Sequence, residues 1–104
     1  MPTIQITVLR RMSNPDLADE YLEPGATLPC PHFEEGQTFV VESGRGPEGF
    51  CSAAWHDLYP FYLILRQGGS FSGWSKDAHS IVRCCTDGIR PVVFELRLHK
   101  DRAT

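Results

Sequence analysis

Apolar and polar positions alternate at the start of the chain, with Ile4, Ile6 and Val8 interleaved with Gln5, Thr7 and Leu9. A period of two places alternate side chains on one face, so residues 3–11 predict a half-buried strand. SNPDLADEYL (13–22) changes character. Asn14 suits a helix cap, Pro15 a first helical position and Asp16 the positive helix end, which predicts one or two helical turns. EPGATLPCPH (23–32) carries three prolines and one glycine, a composition that forbids regular structure and predicts an extended connector. QTFVVES (37–43) reads as a second strand, closed by the loop GRGPEG.

The principal helical pattern lies at 51–67, CSAAWHDLYPFYLILRQ, where Leu58, Tyr62 and Trp55 recur with Cys51 at helical spacing. Pro60 predicts a kink there, or two short helices with Pro60 opening the second, and Gly68-Gly69 stop the run. After the loop SFSGWSKDAH, with Trp74 exposed or anchoring, SIVRCC and IRPVVFELRLHK flank Asp87-Gly88 and predict a hairpin. Pro91 places the second run at an edge or at its own first residue. The order β–α–β–α–β–β predicts a single α+β domain spanning residues 1–104. Its small, mostly antiparallel sheet of about four strands packs against one long kinked helix.

The cysteines raise the question of chemistry. Cys30 and His32 flank Pro31, and in an extended segment residues i and i+2 point the same way, so sulfur and imidazole converge. The proline between them lowers the entropy lost on ligation. Cys51 opens the long helix, where free backbone N–H groups and the helix dipole favour a thiolate. Cys84 and Cys85 are strand neighbours and point to opposite faces. Alternation with Val82 assigns Cys84 to the core and Cys85 to the more polar face beside the turn.

A site of Cys30, His32, Cys51 and Cys85 has soft donors suited to zinc, iron or copper. The spacing is not that of a paired C-x₂-C knuckle. The expected function is therefore metal binding in a small Cys/His pocket, open to a small metalloenzyme of unspecified substrate; its alternatives are thiol chemistry with Cys51 as nucleophile and His32 as base or orienting partner, or cysteines that only pack. In the last case the loops 43–50 and 68–79, with Phe50, Phe71 and Trp74, rim a pocket for a small molecule or dock a protein partner. The remaining candidates read as structural. His56 lies about 140° round a helix from Cys51, while His79 and His99 face solvent. Tyr59 and Tyr62 offer hydroxyls, Asp87 forms a turn, and Glu34-Glu35 belong to an exposed turn.

Composition narrows the partners. Hydrophobic residues make up 41% and charged residues 22%, an ordinary globular balance, and the formal net charge of -3 gives no footprint for nucleic acid. No apolar run reaches membrane-span length, and the N-terminus lacks the pattern of a signal peptide. The cytoplasm is the expected compartment, where four cysteines are free thiols or metal ligands rather than disulfides. An exposed hairpin edge allows a homodimer. Phosphate-cradling glycine loops, a nucleophile elbow and H-E-x-x-H are all missing from the sequence.

CPHFEEGQTFVVE, PEGFCSAAWHDLYPFYLILRQGG and CCTDGIRPVVFEL together resemble a family of small, functionally uncharacterised bacterial proteins of about this length. The resemblance runs from Cys30 to Leu98 and loosely takes in the first strand. Thr86 stands where that family usually has proline, and Ser52 where it often has proline after the cysteine. The resemblance implies a shared site at Cys30, His32, Cys51 and Cys85 without specifying its chemistry.

Overall fold

The structure, a computed structural model, describes residues 2–101. The elements are β1 (Pro2–Arg11), α1 (Pro15–Tyr21), β2 (Thr38–Val41), α2 (Ser52–Arg66), β3 (Ser80–Cys84) and β4 (Val92–Asp101). The four strands form one sheet in the order β2-β1-β4-β3, and every adjacent pair is antiparallel. The α+β class and antiparallel sheet match the pattern of the sequence. Two helices, of 7 and 15 residues, accompany the sheet rather than one long kinked helix.

The core follows from the two periodicities. Ile4, Ile6 and Val8 of β1 face Leu98, Leu96 and Phe94 of β4, and all but Leu98 are fully buried. Onto this surface α2 lays Ala54, Leu58, Tyr62 and Leu65, spaced by three and four residues so that they share one helix face. Pro60 lies inside α2 on its exposed side, where the backbone bond that proline cannot donate is lost at the solvent face. Gly68, at φ +87°, ends the helix with its N–H on the Leu65 carbonyl. Among the described residues no helix is long and apolar enough to cross a membrane.

Three expectations are corrected. Asn14 occupies the N-cap of α1, but its side chain does not cap; Nδ2 donates to the Gly88 carbonyl at 2.8 Å, tying the β1–α1 link to the hairpin. The hairpin does not close on a two-residue turn, because β3 ends at Cys84 and β4 begins at Val92, leaving 85–91 as a longer loop. Asp87 organises that loop through Oδ1, which accepts from the amides of Ile89 and Arg90 at 2.9 and 2.8 Å. Finally, Cys84 is exposed and Cys85 packs against the core.

The cysteine reversal comes from register. Ile81 pairs with Leu96 and is buried, so Val82 and Cys84 point to the opposite face, where Val82 is 53% exposed. Arg83 shares the inner face with Ile81, which the sequence pattern disfavours. Its guanidinium lies over the Phe61 ring, 4.1 Å from the centroid, so the charge covers the rim of the core instead of entering it.

Candidate functional site

Residues 30–33 have two holds on the rest of the molecule. Phe33 is buried, with its ring 5.0 Å from Phe50 and 5.1 Å from Phe94, each at a steep edge-on angle. This anchor holds Cys30, bracketed by Pro29 and Pro31, at the margin of the core. A second hold comes from β1. The register against β4 slips between Val8 and Arg10, so Leu9 is the extra residue of a bulge and Arg11, not Arg10, returns to the inner face opposite Val92. Arg11 Nη1 then donates to the Cys30 carbonyl at 3.3 Å, while the Arg11 amide donates to Glu35 Oε2 at 3.1 Å. Glu35 is thereby engaged with Arg11.

Cys51 is the N-cap residue of α2. Its carbonyl accepts the Trp55 amide at 2.9 Å, and its side chain makes no capping hydrogen bond. Two turns on, Asp57 Oδ2 accepts from both the amide and the hydroxyl of Thr86, at 2.8 and 3.0 Å. This double contact clamps the 85–91 loop to the helix. Within the loop, the Cys85 amide donates to the Val92 carbonyl at 3.1 Å, and the Val92 amide donates back to Cys85 Sγ at 3.3 Å. Burial pushes the Asp87 carboxyl up, but the amides of Arg90 and Ile89 and the Arg90 guanidinium outweigh it and hold the group below the usual carboxylate range.

These three segments enclose one cavity of about 200 Å³. The connector contributes Cys30 and Phe33; the helix start contributes Cys51, Ala53, Ala54 and Asp57; the loop contributes Cys85, Thr86, Asp87 and Arg90, with Val92 closing the wall. The structure therefore brings together three of the four residues singled out from the sequence, all as half-buried free thiols. The fourth, His32, does not line the cavity. It is exposed, and its Nε2 sits 3.1 Å from the Gly49 carbonyl. As placed, no group of three or more His, Cys, Asp or Glu among the described residues is arranged to hold one metal ion.

The other candidates stand apart. His56, His79 and His99 are exposed. Tyr62 is a core residue whose hydroxyl donates to the Ser43 carbonyl at 2.6 Å. Phe50 and Phe71 pack against the core, whereas Trp74 is 80% exposed. Four residues around the site were not singled out for chemistry in the sequence: Arg11, Asp57, Thr86 and Arg90. For Asp57 a signal existed, since Ala53 and Asp57 are four apart and share a helix face. Arg11 had none, because a bulge re-aims it.

Comparison of the chain with protein-family models, with curated proteins and with solved structures returns no match.

Proposed function

We propose that this cavity is the working site of a small thiol-dependent protein, with Cys51 as the reacting sulfur and Cys30 and Cys85 beside it. One observation carries the reading: three cysteines far apart in sequence line a single small hollow. The thiolate is the nucleophilic form of cysteine, and a helix N-terminus offers its charge free amides and the positive end of the dipole. Cys51 holds that position on a 15-residue helix. His32 acts as a positioning residue, since its ring contacts the carbonyl of Gly49, two residues before Cys51.

The chemistry is attack on a soft electrophile, in a reducing compartment such as the cytoplasm where thiols stay free. A hollow of about 200 Å³ falls below the roughly 300–1,000 Å³ of drug-sized sites. Only a small molecule, or the reactive end of a larger one, enters it. The test is site-resolved alkylation as a function of pH, with exposed Cys84 as the internal reference. Cys51 is expected to label at least about tenfold faster than Cys84 at neutral pH. Equal rates contradict the proposal.

The same convergence supports a second reading, uptake of zinc, iron or copper by Cys30, Cys51 and Cys85, whose soft donors suit such ions. The sulfurs would have to shift to meet a common ion. Stoichiometric metal after anaerobic purification, lost when any of the three becomes serine, favours this reading. Metal-free protein removes it.

A further inference from the structure

We infer that Cys51 and Cys85 form an exchangeable pair and that the substrate of the cavity is a low-molecular-weight disulfide. The inference rests on the thiol reading above and adds the resolving residue, the substrate class and the direction of electron flow.

Two thiols share the wall with Cys51, and the hydrogen bonds distinguish them. Cys85 is followed by Thr86, whose amide and hydroxyl both bind Asp57 of α2. The helix that Cys51 heads thus carries the clamp that holds Cys85 in place. Cys85 Sγ also has a donor in the Val92 amide, at 3.3 Å, ready to meet charge developing on that sulfur. Cys30 is held differently, through its own carbonyl by Arg11 and between two prolines, with the anchor on β1 rather than on α2. The pair bound to one helix is Cys51 with Cys85.

The size and lining of the hollow set the substrate class. Ala53, Ala54, Phe33 and Val92 give it an apolar wall, and its volume of about 200 Å³ excludes a folded partner. A small dialkyl disulfide fits both conditions. In the first step the Cys51 thiolate attacks one sulfur of R–S–S–R, forming Cys51–S–S–R and releasing RS⁻, which takes up the proton that Cys51 gave up. In the second, the Cys85 thiolate attacks the Cys51 sulfur, forming the Cys51–Cys85 disulfide and releasing RS⁻, which takes up the proton that Cys85 gave up and leaves as a second RSH. The protein dithiol loses two electrons and the substrate disulfide becomes two thiols. A second dithiol of the reducing compartment restores the protein.

The experiment uses the full chain, 2-hydroxyethyl disulfide as probe, rapid alkylation of remaining thiols, and peptide mapping by mass spectrometry. In the wild-type protein the expected product is a Cys51–Cys85 linked peptide with no lasting adduct. Cys85→Ser should accumulate a mixed disulfide on Cys51, and Cys84→Ser, whose sulfur is exposed and outside the cavity, should behave as wild type. A Cys51 that reacts quickly yet remains a mixed disulfide in the wild type overturns the inference, as does a Cys51–Cys30 link. A Cys51 that reacts no faster than Cys84 instead overturns the thiol reading beneath it. Wild-type mapping decides the pairing even where Cys85→Ser fails to fold.

Discussion

Asp57 shows how one side chain joins two distant stretches of chain. Its carboxylate is only 14% exposed and takes two donors from Thr86. Hydrogen bonds to charged groups contribute about 1.5–3 kcal/mol, and stranding the Thr86 donors adds a desolvation cost. Asp57→Ala is therefore expected to lose about 1–3 kcal/mol in urea unfolding and to speed labelling of Cys85. Unchanged stability with unchanged labelling would contradict the clamp. Asp87 gives a prediction in pH. Its folded-state carboxyl lies below the usual range, so its contribution is fully present above the unfolded value, about pH 4, and fades as pH falls through the lower folded value. The stability gap between wild type and Asp87→Asn should thus be constant near neutrality and close in acid. A gap that widens in acid would reverse the sign and refute the assignment.

The same scale shows where the sequence is ambiguous. Cys84 and Cys85 are chemically identical neighbours, and alternation with Val82 gave the wrong one to the core. Ile81, not Val82, decides the face, through its register with Leu96. Arg83 on the inner face hides that choice because its charge rests on Phe61. A binary apolar pattern cannot separate a buried valine from an exposed one when an arginine caps the rim.

Among the elements, β1 and α1 were legible because their signals are local: strict alternation in one, Asn-Pro-Asp in the other. The hairpin was legible as a pair of strands but not as a turn. Asp87-Gly88 sits within 85–91, where the Asp87 side chain binds two amides and replaces the short turn that its sequence suggests. The bulge at Leu9 left no mark in the sequence, yet it turns Arg11 toward Cys30. The helix end offers a test of element packing. A Cβ on Gly69 would lie 2.8 Å from Ile64 Cγ2 and 2.9 Å from the Ile64 carbonyl oxygen, whereas one on Gly88 would meet nothing within 4 Å. Gly69→Ala should cost about 1–3 kcal/mol by overpacking, and Gly88→Ala should stay within about 0.5 kcal/mol. Thermal unfolding of the two variants compares them directly, and equal effects would count against this packing of the α2 terminus.

At the scale of the whole molecule, the site depends on contacts that no local pattern encodes. Cys30 is placed by the Phe33 anchor, Cys51 by the start of α2, and Cys85 by the register of β3 on β4. The sequence marked all three as candidates because cysteine is reactive and their positions were suggestive. It placed His32 with them by the same logic, and the Gly49 carbonyl takes that ring elsewhere. Convergence of the three sulfurs is the claim on which both the thiol and the metal readings stand. Dibromobimane, which fluoresces only when both its arms have alkylated, measures it directly in the Cys84→Ser protein. Convergent sulfurs yield bright one-to-one adducts whose mapped bridges join pairs drawn from Cys30, Cys51 and Cys85. Singly attached, dark adducts at each of these cysteines would contradict it.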